Sequence, residues 1–162
     1  MDDLFAPSDV SWTPVSPKLA AVRRLTAAIT ALVTAIVLLF VLGPTVGWLY
    51  GVLAVIVIGV AFVGAWVLIG RNQRSWKYAE REDELLVSHG ILFRELVVVP
   101  YGRMQFVDVT AGPLERAFGI ATVELHTATP ATDAKIPGLD PDEASRLRDR
   151  LSALGQAQAW GL

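Results

Sequence analysis

The most extended pattern in the sequence is an apolar stretch without charge. Residues 25–70 contain no Asp, Glu, Lys, Arg or His. As one helix this stretch would be about 69 Å long, against roughly 30 Å of bilayer hydrocarbon. It is interrupted by Gly43 and Pro44, where proline removes a backbone donor and glycine permits a reversal. The pattern therefore predicts transmembrane helices over 25–42 and 48–69, joined by a short external turn over 43–47.

Small residues recur at helical spacing inside both predicted spans. The pairs and triplets four residues apart are Ala27, Ala31 and Ala35, then Gly47 and Gly51, then Ala61 and Ala65. This spacing allows helix backbones to approach closely in lipid. It supports two interpretations, packing of the two spans against each other or contact between copies of the chain. The absence of charge in the spans argues against an ion or proton pathway.

The pattern changes to alternating apolar and polar positions over residues 76–155, which predicts a small α+β domain. The predicted strands are 76–81, 85–89, 91–99, 104–110, 120–127 and 135–136. Asp140 and Pro141 then resemble a helix start, and Gly155 a helix stop. An amphipathic helix that follows antiparallel strands buries its stripe on the sheet. The stripe consists of Ala144, Leu147, Leu151 and Leu154. We expect a pleckstrin-homology-like (PH-like) antiparallel sheet or open barrel, capped by a C-terminal helix, with 156–162 as a tail.

Basic residues flank the spans on one side only. They are Lys18, Arg23 and Arg24 before the first span and Arg71, Arg74 and Lys77 after the second. The positive-inside bias predicts a multi-pass membrane protein with both termini and the PH-like domain in the cytoplasm. The leader over 1–24 is predicted to be partly mobile up to Pro17, with Phe5 and Trp12 at the membrane interface.

Composition removes several classes of function. The chain has 162 residues, a net charge of −2 and no cysteine. These values argue against a disulfide scaffold, a thiolate enzyme and a basic nucleic-acid binder. The two histidines, His89 and His126, belong to no spaced ligand set, and no nucleophile elbow or phosphate loop occurs. We therefore predict no catalytic, metal-binding or cofactor-binding residues and a protein that is not an enzyme.

Four short motifs carry a resemblance to a known family. They are Val99-Pro100-Tyr101-Gly102-Arg103-Met104-Gln105, the segment 112–121, Thr127-Ala128 and Ile136-Pro137-Gly138-Leu139. Together with the hairpin they resemble the bacterial PH-like membrane proteins of the YdbS-like type. The resemblance implies a domain that is anchored in the bacterial plasma membrane and has a PH-like β-fold and a C-terminal helix. It implies no catalytic residues.

Four residues of the predicted domain form a candidate interaction surface: Arg103, Gln105, Arg116 and Phe118. Aromatic and arginine side chains are favoured in protein interfaces. The simpler interpretation is that the two arginines pair with nearby acids such as Asp108 or Glu115. The sequence favours a scaffold or assembly factor that binds a membrane protein partner or a second copy.

The loop over residues 80–84 contains four acids and one arginine, which argues against the basic phosphoinositide grip of eukaryotic PH domains. The alternative function is sensing of a lipid head group or of envelope stress. In that case Arg71, Arg74 and Lys77 would contact lipid phosphates. Their simpler role is to set the topology.

Overall fold

The computed structural model describes residue 7 and residues 10–128 and 132–159. The chain forms two compact units. The hairpin unit is Ala20–Arg71, and the domain unit combines Asn72–Leu162 with Met1–Leu19. The domain is thus assembled from chain segments on both sides of the hairpin.

The hairpin unit is formed by two long helices, α1 (Lys18–Thr45) and α2 (Trp48–Ser75). Both are long and apolar enough to cross a membrane. They extend beyond the predicted spans, α1 at both ends and α2 at its C-terminal end. The apolar run sets the length that lipid can cover, whereas a helix continues for as long as its backbone hydrogen bonds do.

The turn between the helices is shorter than the predicted 43–47. Pro44 lies inside the last turn of α1 rather than in the loop. The carbonyl of Leu42 accepts hydrogen bonds from the amides of Val46 (2.9 Å) and Gly47 (3.0 Å). Gly47 then reverses the chain with a φ of 128°, a conformation that favours glycine.

The small residues of the spans have two different surroundings. At Gly51 an added Cβ would lie 3.3 Å from Leu39 Cδ1, so this glycine allows close packing of α1 on α2. Ala27, Ala31, Ala61 and Ala65 instead line an open groove of about 560 Å³. Gly51 supports the interpretation that the two spans pack against each other. The alanines leave open the interpretation that copies of the chain contact each other.

The domain unit contains two antiparallel sheets. The first has the order β1 (Thr13–Pro14), β2 (Lys77–Glu80), β3 (Glu84–His89) and β4 (Glu95–Pro100). The second has the order β5 (Met104–Thr110), β6 (Ala121–Thr127) and β7 (Ala134–Leu139). A 3₁₀ turn (Tyr101–Arg103) precedes β5, the short helix α3 (Pro113–Phe118) precedes β6, and α4 (Pro141–Ala159) follows β7. The predicted PH-like plan with a C-terminal helix is confirmed.

The leader contributes a strand, so its predicted mobility up to Pro17 is wrong for the residues from Thr13 onward. Thr13 and Pro14 pair with Tyr78 and Lys77 at the edge of the first sheet. Val15 is buried, and its carbonyl accepts a hydrogen bond from the Gln73 amide at 3.1 Å. Two residues that include a proline carry no strand pattern, so only the pairing reveals them.

Two further contacts hold this segment in the domain. The amide of Ser16 donates to the carbonyl of Gly138 at 2.9 Å. Gly138 has a φ of 74°, and a Cβ there would lie only 2.8 Å from Leu19 Cβ. The predicted interfacial residue Trp12 donates its indole N–H to the carbonyl of Pro7. Phe5 lies outside the described residues.

The core of the domain follows the predicted alternation and helix stripe. Ala144, Leu147 and Leu151 of α4 are fully buried, and Leu154 is half-buried. The strands contribute Leu85, Val87, Val99, Val123, Leu125 and Ile136 to the same core. Helix α4 therefore packs on the sheets through its apolar stripe, as the sequence predicts.

Two strands differ by more than one residue from their predicted bounds. Strand β4, the third predicted strand, begins at Glu95 rather than residue 91, because Gly90 reverses the chain with a φ of 104°. A Cβ at Gly90 would lie 1.9 Å from the Phe93 carbonyl oxygen, so this reversal requires glycine. The last strand continues through Pro137, which an edge strand tolerates because one side of it needs no donor.

Candidate interaction site

Strand β5 has an open edge. Among the strands that the structure describes, β5 pairs with β6 alone. Met104 pairs with Thr127 and Phe106 with His126, so Gln105 is the extra residue of a β-bulge. Bulges occur at sheet edges and beside binding sites, where they redirect a side chain. Gln105 is exposed at this edge.

A groove of about 360 Å³ lies between β5 and α4. Its lining residues are Met104, Gln105, Phe106 and Val107 from β5 and Leu151, Ser152, Gly155 and Gln156 from α4. Phe106 is 51% exposed, so its ring offers apolar surface at the groove. None of the eight lining residues carries a formal charge.

Gly155 is part of this groove and does not end the helix, so the predicted stop is wrong. A helix-ending glycine usually has a left-handed backbone, and Gly155 is not among the glycines with positive φ. A Cβ at this position would lie 3.6 Å from Met104 Cε and 3.6 Å from the Tyr101 carbonyl oxygen. The missing side chain thus leaves the floor of the groove open.

The four predicted surface residues lie near two different ends of β5. Arg103 ends the 3₁₀ turn before the strand, and Gln105 is near its start. Arg116 and Phe118 belong to α3, which follows the other end. From residue 105 to residue 110 an extended strand covers about 17 Å. The four residues therefore form two separate groups. Arg103 and Gln105 lie at the groove end of β5, and Arg116 and Phe118 lie at the α3 end.

The α3 end is organised around Glu115. Its carboxylate accepts hydrogen bonds from the Gly112 amide at 2.8 Å and from the Thr122 hydroxyl at 3.1 Å. These bonds take the place of the expected pair between Glu115 and Arg116. Arg116 is exposed and Phe118 is half-buried. Glu115 thus fixes the turn that displays Arg116.

A polar network fixes α4, one wall of the groove, to β2. The Tyr78 hydroxyl donates to Glu143 at 2.7 Å, and Arg146 contacts both Glu143 and Glu80 at 2.7 Å. Arg150 adds a second contact to Glu80 at 3.1 Å. Burial raises the pKa of Tyr78 above its usual range, and the hydrogen bonds from Arg146 lower the pKa of Glu143. These pairs between half-buried carboxylates and arginines join α4 to β2 through charge-assisted contacts.

Both histidines take part in aromatic stacks, His89 with Trp76 and His126 with Phe106. The Phe106 and His126 rings are 4.4 Å apart, and His126 Nδ1 lies 3.3 Å from Asp133 Oδ2. A hydrogen bond from the Thr127 amide lowers the pKa of Asp133. The part of the chain that the structure describes contains no group of three or more His, Cys, Asp or Glu that could hold a metal ion. Each histidine is thus stacked on an aromatic ring and lies near a carboxylate, His89 near Glu95 and His126 near Asp133.

A family model described as Bacterial PH domain matches residues 19–155, most of the chain. The chain belongs to this family. It is also 36% identical over 109 residues to the UPF0699 transmembrane protein YdbS of Bacillus subtilis (strain 168), covering 67% of each chain. No solved structure matches it. The relative and the two apolar helices place this bacterial PH domain protein in a membrane.

The loop between β2 and β3 of this bacterial PH domain is acidic, as the sequence suggests, but it is not simply solvated. The side chain of Glu80, which ends β2 beside this loop, is only 15% exposed and contacts Arg146 and Arg150. A cavity of about 610 Å³ beside the loop is lined by four acids and two arginines, together with Val10 and Ser11. Such a lining is a poor match for an anionic head group.

The three candidate lipid-contacting residues of this bacterial PH domain protein have different surroundings. Arg71 and Arg74 are exposed near the end of α2. Lys77 begins β2, and its ammonium group lies 4.7 Å from the centre of the Trp12 ring. Lys77 is thus engaged by a cation–π contact, which leaves the two arginines as the better-placed pair.

Sequence reasoning missed the α4 side of the groove in this bacterial PH domain. Ser152, Gly155 and Gln156 carry no interaction signal by residue type. A signal was nevertheless present, because Gly155 follows Leu151 by four residues and therefore lies on the same helix face.

Proposed function

We propose that this protein is a non-enzymatic, membrane-anchored interaction domain that holds a protein partner at the cytoplasmic face of the bacterial plasma membrane. An extended segment of the partner binds in the groove between β5 and α4. It adds a strand to the open edge of β5. The protein acts as a scaffold or assembly factor within a membrane complex.

The observation that carries this proposal is an unpaired strand edge that runs along a groove. Strand addition uses main-chain hydrogen bonds for affinity and side-chain pockets for specificity. Edge strands that are not meant to pair are usually protected by charge, proline or a covering element. Between Met104 and Val107, β5 contains neither a charged residue nor a proline. The groove is neutral and partly apolar, so it fits a partner segment with apolar side chains at alternate positions.

Anchoring strengthens such binding. A domain confined to the membrane meets a membrane-bound partner at a high effective concentration, so a short segment is sufficient for a stable complex. The basic residues that flank the apolar spans of α1 and α2 support a topology with both termini in the cytoplasm. In that topology the groove faces cytoplasmic segments of its partner.

Site-specific photocrosslinking in intact cells tests the groove. A photoreactive amino acid is placed in the full-length chain at Gln105 or Ser152 in the groove, or at Arg116 at the α3 end. We expect the two groove positions to give the same protein adduct after irradiation. A second copy of the chain as the captured protein would identify the partner as self.

A matched pair of variants then tests whether the groove itself is occupied. Ser152→Trp fills the groove, whereas Ala153→Trp places the same ring on an exposed neighbouring position of α4. We expect the adduct from Gln105 to be lost with Ser152→Trp and retained with Ala153→Trp. Adducts from Arg116 alone would contradict the groove and favour the α3 end, with Arg116 and Phe118, as the partner surface.

Recognition of a lipid head group, or sensing of envelope stress through it, is a second candidate function. The exposed Arg71 and Arg74 near the end of α2 favour it. Replacing both by glutamine should reduce enrichment of anionic lipid around the protein extracted in polymer discs, and added salt should have the same effect. If the lipid content were unchanged, the role of Arg71 and Arg74 would be to set the topology of the chain in the membrane.

A further inference from the structure

The loop between β3 and β4 displays two apolar side chains with almost no cover. Leu92 is 87% exposed and Phe93 is 90% exposed. Among the described residues they are more exposed than any large apolar side chain of α1 or α2. We propose that this loop is a membrane-inserting element whose Leu92 and Phe93 enter the interfacial region of the same bilayer that holds the hairpin.

The conformation of the loop is defined rather than loose. Gly90 adopts a φ of 104°, and its Cα approaches the Phe93 carbonyl so closely that a Cβ would lie 1.9 Å from the oxygen. The chain therefore folds back on itself immediately before β4. This reversal places Leu92 and Phe93 at the tip, where neither packs into the domain.

The base of the loop is attached to the last turn of α2. The Gly90 amide donates to the Ser75 hydroxyl at 3.1 Å, and Ser75 is the last residue of α2. Next to this bond, the Trp76 ring stacks on His89 at 4.3 Å, and the Trp76 indole N–H donates to Asn72 at 3.0 Å. The loop thus starts where the second apolar helix ends.

The distance along α2 is short enough for insertion. From Ile69, the end of the predicted span, to Ser75 a helix rises about 9 Å. The interfacial layer on each side of the hydrocarbon is about 5–8 Å thick. Two extended residues reach about 7 Å further. A tip that begins beside Ser75 can therefore reach the level of the lipid head groups.

The distribution of charge also favours insertion of the loop between β3 and β4. Arg94 follows the apolar tip, and Arg74 lies in the last turn of α2. The opposite ends of β2 and β3 carry the exposed acids Glu82 and Asp83. An anionic leaflet attracts the first end and repels the second. Apolar side chains beside basic ones are typical of segments that lie at a membrane interface.

Fluorescence of single-cysteine variants tests the insertion. The chain has no cysteine, so one introduced cysteine is labelled alone. Full-length Leu92→Cys and Phe93→Cys, with an environment-sensitive dye, are placed in nanodiscs at one chain per disc. Glu82→Cys, in the exposed β2–β3 loop, is the control. We expect shorter-wavelength emission and quenching by lipid-attached quenchers at positions 92 and 93, and aqueous emission at position 82.

Salt and a second substitution distinguish insertion into lipid from electrostatic adsorption and from burial against protein. The signal should persist in high salt, because apolar burial drives it. Adding Leu92→Ser to the Phe93→Cys chain should reduce the quenching, because it removes the one large apolar side chain of the Leu92 and Phe93 pair that this variant retains. Emission equal to that of the control, a signal that salt abolishes, or a blue shift without lipid quenching would each overturn the proposal. The last of these would mean that protein, not lipid, covers the loop.

Discussion

In the hairpin unit Leu32 exposes 62% of its surface, whereas Leu147 of the domain exposes none. Both residues are leucines on helices, yet they meet different requirements. Lipid tails are as apolar as leucine, so a lipid-facing position needs only an apolar side chain. A position inside the domain must also fit its neighbours at close packing density. Lipid-facing positions of the hairpin therefore tolerate exchange among apolar residues, and buried positions of the domain do not.

The largest expected difference comes from removing these two leucine side chains. Leu147→Ala should lower the free energy of unfolding of the domain by about 2–5 kcal/mol, because it leaves a cavity beneath α4. Leu32→Ala should have almost no effect. Denaturant-dependent hydrogen exchange of β6 amides in the full-length protein measures both changes. Equal effects of the two variants would contradict the distinction.

A matched valine pair tests whether the leader belongs to the domain. Val15, just after β1, is 3% exposed, and Val33 of α1 is 54% exposed. Val15→Ala should destabilise the domain by about 2 kcal/mol through the loss of two buried methyl groups. Val33→Ala should leave the exchange of β6 amides unchanged. If Val15→Ala left the stability of the domain unchanged, the leader would not be part of the fold.

Acid should affect the two units differently. Residues 25–70 contain no ionisable side chain of Asp, Glu, Lys, Arg or His, whereas α4 depends on Glu143. The pKa of Glu143 is held below its ordinary 4.5 by hydrogen bonds from Arg146. Its contribution is therefore present above about pH 4.5 and is lost as the pH falls through the lowered pKa.

Hydrogen exchange at falling pH measures this contrast. We expect amides of β2 and α4 to lose protection before those of α1 and α2. Glu143→Gln should weaken the domain at neutral pH and make its stability less dependent on pH below about 4.5. A pH dependence that Glu143→Gln leaves intact would assign the acid sensitivity to other carboxylates.

The smallest effect is expected at an exposed ion pair of the second sheet. Lys135 contacts Glu124 at 2.6 Å, but the lysine side chain is 59% exposed. Lys135→Ala should change the free energy of unfolding by less than about 1 kcal/mol. Thermal unfolding with and without added salt checks this value. A larger loss would mean that the pair aligns β6 with β7.

Much of the fold could be predicted from local pattern. The two apolar spans, the order of strands and the stripe of Ala144, Leu147 and Leu151 on α4 all depend on residues close in sequence. The predictions that were wrong concern segments that are far apart in the sequence and in contact in the fold. Thr13 and Pro14 form a strand only because β2 is beside them, and Gly155 continues a helix because that helix packs on the 3₁₀ turn.

In the candidate site, too, some features followed from local sequence and others from contacts between distant segments. Reasoning from residue type selected Arg103 and Gln105 at one end of β5 and Arg116 and Phe118 at the other. It could not separate them, because the distance between these pairs depends on the extended path of β5. The bulge at Gln105 and the α4 side of the groove depend on strand register and helix docking, which the order of residues does not display.

By itself, the sequence determined that this protein has two membrane-length apolar helices and a small PH-like domain, because hydropathy and periodicity are local properties of the chain. Only the tertiary structure decided that the leader completes the domain, that β5 keeps an open edge beside α4, and that Leu92 and Phe93 remain uncovered. Each of these features depends on which distant segments come into contact. Such contacts are formed by the folded chain as a whole.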